Sequence, residues 1–320
     1  MDKKFVYSEI INKVTSAQNI FLATHENPDG DAVASLCAVA EWLTALGKNF
    51  YLACADEAEA SFHFLPQTAK INKLTANLDF SRFDLAIILD CGSLRRTKAE
   101  AAIKAAPIPI INIDHHLSND QFGAVNLVDA DAVSTTQILY ELFKYGKVDI
   151  SRQLASCILT GIITDSGNFA YAATNPRTFK VASEMIMSGA NARNILMSTA
   201  KNKNLTTLKA WGFALSRLRY NPNYDIAYTV LTQRDLADLG IGKQDLEGLA
   251  SFLNNLKDAK IVLVVYELGD GRVKGSLRTN RDDVDVCVLA QSFGGGGHKK
   301  AAGFEVEGKL VPAGNSWRVE

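Results

Sequence analysis

The sequence predicts an α/β protein of two domains: an N-terminal domain with a mainly parallel sheet flanked by helices, and a smaller C-terminal α+β domain. Continuous apolar runs at 84–90 and 107–113 are typical of strands buried on both faces, as in parallel sheets. A third run, 20–24, leads through a short polar turn into the apolar, helix-forming segment 32–46, which is the opening of an α/β unit. With 320 residues, the chain has room for two domains of roughly 100–200 residues each.

The remaining elements of the first domain, placed at 1–189, follow from the spacing of apolar residues. Such residues recur at helical spacing within 5–17, so we expect a leading helix there. Residues 49–55 form an extended run, which we interpret as a strand. Amphipathic or buried helices complete the domain at 134–145, 151–163 and 178–187.

The second domain is placed at 206–320, after a stretch rich in Asn, Lys, Ser and Thr at 190–205 that we interpret as a linker. The sequence Gly269-Asp270-Gly271 indicates a hairpin between strands at 259–267 and 272–279. Other elements expected here are a strand at 225–231 and helices at 233–239, 245–256 and 284–293. The last helix runs into a glycine-rich loop, 294–303.

Composition and charge describe an ordinary globular protein and exclude several functions. Hydrophobic residues make up 47% of the chain and charged residues 22%, and the formal net charge is -1. A chain of this charge has no wide basic surface, so long duplex nucleic acid is not an expected partner. Five scattered cysteines without a Cys-x-x-Cys pair predict reduced thiols. Because we find no signal peptide and no apolar run of about 18 residues, we expect a cytoplasmic protein without a membrane partner.

The polar turn after the first strand carries an imidazole and two carboxylates. In the sequence His25-Glu26-Asn27-Pro28-Asp29-Gly30-Asp31, the potential ligands are His25, Asp29 and Asp31. Imidazole and carboxylate groups suit Mn²⁺, Mg²⁺ or a related divalent ion. These residues alone leave a second interpretation open, in which Asp31 is the N-cap of the following helix and Asp29 faces the helix dipole.

Further acids and imidazoles follow at the ends of other elements. Asp90 ends one apolar run, Asp114-His115-His116 follows the next, and Asp165 lies where a helix gives way to a turn. The carboxyl ends of parallel strands meet at one edge of a sheet, where ligands bind. The number and type of ligand suit two divalent cations roughly 3.5–4 Å apart. The predicted metal ligands are His25, Asp29, Asp31, Asp90, His115 and Asp165.

Two such ions activate a shared water and stabilise charge on phosphoryl oxygens, so hydrolysis of a phosphate ester is the expected reaction. Adjacent side chains on extended backbone point in opposite directions, which lets His116 face the substrate while His115 binds metal. The glycine-rich loop offers backbone N–H groups to an anion, and Arg278 suits bidentate recognition of phosphate. The predicted phosphate pocket consists of Ser276, Arg278, Gly295, Gly296, Gly297 and His298.

These motifs resemble, in order, those of the DHH/DHHA phosphoesterase superfamily, which is named after the triplet seen here as Asp114-His115-His116. The other matches are His25-x-x-x-Asp29-x-Asp31, Asp90, Gly161-Ile-Ile-Thr-Asp165-Ser and the glycine-rich stretch 294–303. The resemblance implies that one manganese ion is held by His25, Asp29, Asp90 and Asp165. It implies a second ion on Asp31, Asp90, His115 and Asp165, with Asp90 and Asp165 as bridging catalytic residues and His116 in contact with the substrate.

The length and layout are similar to the NrnA-like branch of this superfamily, bifunctional oligoribonucleases (nanoRNases) that also dephosphorylate 3′-phosphoadenosine 5′-phosphate (pAp). The resemblance implies a manganese-dependent phosphoesterase in which a metal-bound hydroxide attacks phosphorus. Its expected substrates are RNA of about two to five nucleotides, linear dinucleotides such as pApA and pGpG, and pAp. We also expect the active site in a cleft between the domains, with the phosphate end of the nucleotide on the second domain.

Other functions stay open at this point. Relatives that hydrolyse cyclic di-AMP carry the same motifs and are the main alternative. Manganese-dependent inorganic pyrophosphatases share the motifs of the first domain but lack the glycine-rich histidine loop. RecJ-like exonucleases act on long single strands and usually carry a further nucleic-acid-binding domain, and a complete set of six ligands disfavours a nucleotide-binding regulator without turnover. The sequence leaves open whether the chain forms a homodimer.

Overall fold

The computed structural model describes residues 3–199, 203–314 and 316–320. The chain divides into two compact units, Met1–Asn202 and Lys203–Glu320. This division lies inside the segment 190–205 that the sequence analysis interprets as a linker.

The first unit is built on an all-parallel sheet flanked by helices, which confirms the predicted fold class. Its strands are β1 (Asn19–Ala23), β2 (Asn49–Cys54), β3 (Ile71–Lys73), β4 (Leu85–Leu89), β5 (Ile110–Asp114) and β6 (Val125–Val128). Its helices are α1 (Lys3–Ser16), α2 (Gly30–Ala45), α3 (Glu100–Ala105), α4 (Thr135–Tyr145), α5 (Arg152–Asp165), α6 (Pro176–Met187) and α7 (Ala192–Thr199). The strands follow the order β3-β2-β1-β4-β5-β6.

The strand order reverses between β1 and β4. From β1 the chain adds β2 and β3 on one side, and it then returns to add β4, β5 and β6 on the other. Ile20 of β1 is in register with Phe50 of β2 on one side and Leu85 of β4 on the other. In open α/β sheets, ligands bind beyond the carboxyl ends of the strands at such a switch point. The fold therefore places the loops after β1 and β4 where a binding site is expected.

The two faces of this sheet carry apolar cores of different size. On one face, α2, α4 and α5 contribute Leu36, Leu139 and Ile158 to a large buried cluster. On the other face, a smaller cluster contains Phe21 and Phe80, whose ring centroids are 4.9 Å apart. Both faces of the central strands are therefore covered by apolar side chains. This explains why these strands are apolar throughout and do not alternate apolar with polar residues.

Gly30 and Gly161 allow α2, α4 and α5 to approach one another closely. A Cβ added at Gly30 would lie 2.5 Å from Cγ2 of Thr164 in α5. A Cβ added at Gly161 would overlap Oδ1 of Asp31 in α2 and Oγ1 of Thr136 in α4. Larger residues would force these elements apart, so the two glycines keep the N-terminus of α2 against α5.

Four elements of the first unit differ from the sequence prediction, namely β3 and α3, which it did not place, together with α7 and β6. α7 occupies part of the predicted linker and buries Ile195 in the core. Its exposed residues are mostly polar, which gave this segment the composition of a linker. The strand β6 was missed because it has only four residues, of which Val125 and Leu127 are buried. So short an alternation is too weak to stand out in a sequence.

The second unit combines a mixed sheet with short helices, which confirms the predicted α+β character. Its helices are α8 (Leu205–Ser216), α9 (Gln233–Leu239), α10 (Leu249–Leu253) and α11 (Val286–Gln291). Its strands are β7 (Arg219–Asn221), β8 (Ile226–Leu231), β9 (Ile261–Glu267), β10 (Arg272–Arg278), β11 (Gly296–His298), β12 (Ala301–Glu307), β13 (Leu310–Ala313) and β14 (Ser316–Val319). The main sheet has the order β11-β12-β10-β9-β8-β7, and β13 pairs with β14 separately.

The glycine-rich segment, expected to be a loop, forms the hairpin of β11 and β12. Gly296 pairs with Gly303, and Gly297 pairs with Ala302. Gly297 has a φ of +142°, and a Cβ there would lie 2.6 Å from Cα of Ala302. Glycine at 297 is therefore required by the backbone conformation and by the close approach of β12. A Cβ at Gly296, by contrast, would meet nothing within 4 Å.

The cysteines have the reduced, buried character expected from their apolar surroundings. All five are free thiols, and Cys37, Cys54, Cys91 and Cys157 are buried. Burial raises the pKa of Cys54 and of Cys91 to about 12, so both thiols stay protonated near neutral pH.

No helix in the described part of the chain has the length and apolar character needed to cross a membrane.

Candidate metal centre

Seven acidic and imidazole side chains meet at the carboxyl edge of the parallel sheet. They form three overlapping groups among the described residues, and within each group the ligand atoms lie within 4.8 Å of one another. The groups are His25 with Asp29 and Asp90, Asp31 with His115 and Asp165, and Asp90 with His115 and His116. The structure thus brings together all six predicted metal ligands and His116.

His25 lies two residues after the end of β1 and is buried. Its Nε2 lies 3.7 Å from Oδ2 of Asp90 and 4.0 Å from Oδ2 of Asp29. Its Nδ1 lies 2.6 Å from the carbonyl oxygen of Glu26. When Nδ1–H donates to that carbonyl, the ring is held in place and Nε2 is the nitrogen left for an ion.

Asp29 both caps α2 and offers a ligand atom. Its Oδ1 accepts hydrogen bonds from the backbone N–H groups of Asp31 at 3.2 Å and Ala32 at 3.1 Å, which makes it the N-cap. The interpretation that made Asp31 the N-cap is wrong, because Asp31 lies inside the first turn. The second carboxylate oxygen of Asp29 is the one near His25.

Asp90 occupies the middle of the cluster and is 1% exposed. Its Oδ1 lies 3.6 Å from Nε2 of His115, while its Oδ2 approaches His25. The hydroxyl of Thr135 donates a hydrogen bond of 3.0 Å to Oδ1. The backbone of Asp90 has a φ of +50°, a left-handed conformation that costs a non-glycine residue on the order of 1–2 kcal/mol. Such strain at a buried charged residue is typical of functional sites.

Asp31 and Asp165 approach His115 from two different helices. Asp31 is fully buried, and its two oxygens accept the backbone N–H groups of Thr135 at 2.6 Å and Thr136 at 3.1 Å. Those N–H groups belong to the N-terminus of α4, where negative charge is favoured. Nε2 of His115 lies 3.1 Å from Oδ2 of Asp165, the last residue of α5.

His116 is held by Asp114, which is fully buried. Nδ1 of His116 lies 2.7 Å from Oδ1 of Asp114, and the same oxygen accepts the backbone N–H of His115 at 2.9 Å. The side-chain amide of Asn119 donates a 2.5 Å hydrogen bond to the other oxygen of Asp114. Burial opposes protonation of His116, but the hydrogen bond to Asp114 and the charges of Asp90 and Asp114 outweigh it and raise the pKa of His116.

The donor set fits hard divalent cations. Four carboxylates and three imidazoles share this edge among the described residues, and buried like charges are costly unless something compensates them. Burial is the main cause that raises the pKa of Asp31, and the negative charges of Asp90 and Asp165 raise it further. Without a bound cation, the carboxylates of the cluster are therefore hard to ionise all at once. Carboxylate and imidazole donors without thiolate suit Mn²⁺ or Mg²⁺ better than a structural zinc. These acidic and histidine groups can therefore hold a divalent metal ion.

We expect metal binding by the cluster to weaken as the pH falls below about 8. Burial opposes protonation of His25, but the close approach of Asp90 and the charges of Asp29 and Asp90 outweigh it and raise its pKa to about 8. Below that pH an ion must displace a proton, so the apparent affinity should fall by about tenfold per pH unit for each proton released. Titrations with Mn²⁺ at three pH values from 6.5 to 8.5 measure this slope. An affinity that does not change over this range would contradict the expectation.

Four of the predicted phosphate-binding residues of the second unit fall in two rows across its sheet, Gly297 lies in the row between them, and Gly295 precedes β11. The paired residues are Arg278–Ala301–His298 in one row and Ser276–Gly303–Gly296 in the next. Residues two apart on a strand share a face, so Ser276 and Arg278 lie side by side on β10. The side chain of His298 is outside the described part of the structure.

Arg278 also touches a helix of its own unit. Its Nε donates a 3.3 Å hydrogen bond to Oγ of Ser251 in α10, and its Nη1 donates to the carbonyl oxygen of Leu277 at 2.9 Å. A Cβ at Gly295 would overlap the carbonyl oxygen of Gly303, so glycine is needed there for packing. The role of these residues in phosphate binding stays a prediction.

Sequence reasoning missed three residues that position the ligands, namely Asp114, Asn119 and Thr135. Asp114 belongs to the triplet itself, and its burial could have suggested that it orients its neighbours. Ser134-Thr135-Thr136 is a helix-start sequence, and the N–H groups of such a start attract a carboxylate. Asn119 carries no comparable signal, because only the fold brings its loop to Asp114.

Family models match segments of both units of the chain. A model of the DHH family, N-terminal domain, matches residues 19–162, and a model of the DHHA1 domain matches residues 223–313. The bifunctional oligoribonuclease and PAP phosphatase NrnA of Thermus thermophilus is 27% identical over 309 residues, which cover 96% of this chain and 89% of that protein.

Solved structures show the same fold. The crystal structure of an exopolyphosphatase-related protein from Bacteroides fragilis has a TM-score of 0.90 at 25% identity, and the match covers 96% of this chain and 92% of that one. RecJ from Thermus thermophilus, in complex with Mn²⁺, has a TM-score of 0.51 at 12% identity, over 95% of this chain and 52% of RecJ. The two domain models occur here in sequence order, on the two units that the structure separates. The chain therefore belongs to the DHH/DHHA1 phosphoesterase superfamily, hydrolases that act on phosphoester bonds.

Proposed function

We propose that this protein is a manganese-dependent phosphoesterase that hydrolyses RNA of about two to five nucleotides, and also pAp. The observation that carries the proposal is the cluster at the carboxyl edge, in which Asp90 lies between His25 and His115. Near-full-length similarity to a protein named an oligoribonuclease and PAP phosphatase supports this substrate class. Because that similarity covers both units, it supports short nucleotides over the other substrates known in the superfamily.

Two divalent ions would be held by the clustered side chains. The first set is His25, Asp29, Asp90 and Asp165, and the second is Asp31, Asp90, His115 and Asp165. When bound, such ions activate a water and neutralise charge that develops on phosphoryl oxygens. We propose manganese because the donors combine imidazole with carboxylate.

His116 would donate a hydrogen bond to a non-reacting phosphoryl oxygen. With its Nδ1 held by Asp114, the ring would present Nε2 as the donor toward the substrate. A donor fixed in advance by a buried partner loses little free energy in reorganising, so it stabilises the transition state more than the ground state. Asp114 thereby acts as a positioning residue for His116.

The second unit would bind the terminal phosphate of the substrate. Ser276 and Arg278 would supply a hydroxyl and a planar guanidinium, and the guanidinium can contact two phosphate oxygens at once. The space above Gly296 is open, since a Cβ there would meet no atom within 4 Å. Backbone N–H groups of the glycine-rich hairpin would then be accessible to an anion.

A length series tests the proposed substrate class. Initial rates should be highest for RNA of two to five nucleotides and fall steeply by about twenty nucleotides, because a net charge of -1 offers no basic track for a longer backbone. The measurement uses 5′-phosphorylated RNA at fixed ionic strength with Mn²⁺, alongside pAp and cyclic di-AMP. A flat or rising length profile would contradict the proposal. A marked preference for cyclic di-AMP would instead assign the protein to the cyclic dinucleotide phosphodiesterases.

A further inference from the structure

We propose that a cavity beside the metal centre binds the nucleoside attached to the phosphate that reacts there, an inference that rests on the proposed function. The cavity has a volume of about 420 Å³, which is within the range of small-molecule sites. Glu26 and Asn27 form part of its wall. These two residues lie between the predicted ligands His25 and Asp29, so one loop borders both the cavity and the metal centre.

The sheet topology places the cavity next to the metal centre on the same edge. Most of the clustered ligands follow β1, β4 and β5, and Asp165 ends α5. The cavity is lined by residues that follow β1, β2 and β3, together with residues of α3 and the segment before it. Asp56 comes from the end of β2, and Leu74 and Thr75 come from the end of β3. Since β1 is the strand that both sets share, the loop after β1 borders the cavity on one side and the ligand cluster on the other.

The charges of the lining favour a neutral ligand group over a second phosphate. Glu26 and Asp56 are acidic and Lys98 is basic, which gives the lining a net charge of -1. Lys98 already pairs with Glu26 at 2.7 Å, and Asp56 accepts the backbone N–H of Asn27 at 2.8 Å. Carboxylates accept hydrogen bonds from hydroxyl and amino groups, which are the donors that ribose and the bases present.

Part of the cavity lining is apolar and suits the face of a base. Leu74, Phe80 and Ala102 are among these apolar residues. Bases stack on or pack against such surfaces with little dependence on sequence. A cavity lined by both polar and apolar residues therefore matches a nucleoside better than it matches an ion or a lipid.

The polar wall is held in an unusual backbone conformation. Asn27 has a φ of +49° and Lys98 a φ of +60°, both left-handed. The backbone N–H of Glu26 donates a 2.7 Å hydrogen bond to the carbonyl oxygen of Arg96, which ties this loop to the segment after β4. Non-glycine residues keep such conformations where the surrounding structure enforces them, and they concentrate at ligand sites.

Filling the cavity from its open side tests the inference. Ala102 is an exposed residue of α3 that lines the cavity, and its neighbour Ala101 is equally exposed but does not line it. Ala102→Trp should raise KM for pApA and pAp by about tenfold or more with little change in kcat, and Ala102→Leu should have a smaller effect in the same direction. Ala101→Trp is the matched control and should stay within about twofold of the parent protein.

Adenosine provides a probe that does not depend on turnover. Calorimetry with Mn²⁺ present should show adenosine binding to the parent protein, weakened by about tenfold or more in Ala102→Trp but not in Ala101→Trp. Equal KM values and equal adenosine affinities in the two tryptophan variants would overturn the nucleoside site. If the parent protein hydrolysed neither pApA nor pAp, the proposed function would fail instead, and adenosine binding would still decide whether the cavity takes a nucleoside.

Discussion

Asp90→Asn should abolish hydrolysis, with kcat/KM lowered by at least about a thousandfold, equivalent to about 4 kcal/mol of transition-state stabilisation. Among the described carboxylates, Asp90 is the one that belongs to two of the three ligand groups. An amide carries no charge and is a poor ligand for a hard cation, so the variant should lose the bridge between them. The amide keeps the size of the side chain and can still accept the hydrogen bond from Thr135, so the fold should survive. Rates on pApA at saturating Mn²⁺, with a thermal melt of each protein, measure both effects.

Asp84→Asn is a matched control for this substitution. Asp84 immediately precedes β4, whereas Asp90 immediately follows it, so the two carboxylates mark opposite edges of the sheet. Asp84 accepts the backbone N–H groups of Gln18 at 2.7 Å and Asn19 at 3.1 Å. Its substitution should change stability more than turnover, and Asp165→Asn should behave like Asp90→Asn. Retention of a tenth or more of the activity by Asp90→Asn would contradict the role assigned to this carboxylate.

His116→Ala should lower kcat by about 10²–10³-fold and leave KM nearly unchanged. The reason is that a donor fixed by Asp114 acts mainly on charge that develops in the transition state. Steady-state kinetics on pApA separate the two parameters. His63→Ala, which removes an exposed imidazole outside the cluster, is the control and should leave both unchanged. A rise in KM without loss of kcat would mean that His116 only helps to bind the substrate.

Arg278→Ala should show the opposite division between the two parameters. Loss of one charge-assisted contact costs roughly 1.5–3 kcal/mol, so KM should rise by about 10-fold or more while kcat changes little. Arg272→Ala removes the same charge from the other end of β10, where Arg272 is paired with Asp270 and Glu305. That control should leave KM unchanged. If Arg278→Ala left KM unchanged on every phosphorylated substrate, the phosphate-binding role of the second unit would be wrong.

Much of the first unit could be predicted because buried parallel strands leave a strong signal in sequence. The runs that became β4 and β5 are apolar on both faces, and each is followed at once by ligands. Once the strand ends are known, a parallel sheet brings those ligands to one edge without further information. The clustering of the predicted ligands at this edge was therefore accessible to sequence reasoning.

Other features depend on local geometry that sequence does not specify. Either Asp29 or Asp31 could have capped α2, and the choice follows from the extended backbone of Asp29, with φ of −89° and ψ of −167°. The glycine-rich segment became a hairpin because β12 offers it a partner strand, whereas glycine alone carries no strand signal. The hydrogen bond from Asn119 to Asp114 likewise exists only because the loop after β5 folds back.

Removing and restoring the metal ion tests most directly whether the cluster at the carboxyl edge performs hydrolysis. Protein stripped with a chelator, and then freed from it, should leave pApA intact. Added Mn²⁺ should restore turnover, with saturation near two ions per chain, while Ca²⁺ should restore much less because its coordination is looser and it is a weaker Lewis acid. Full turnover of pApA in an excess of chelator would contradict a metal-dependent centre at these residues.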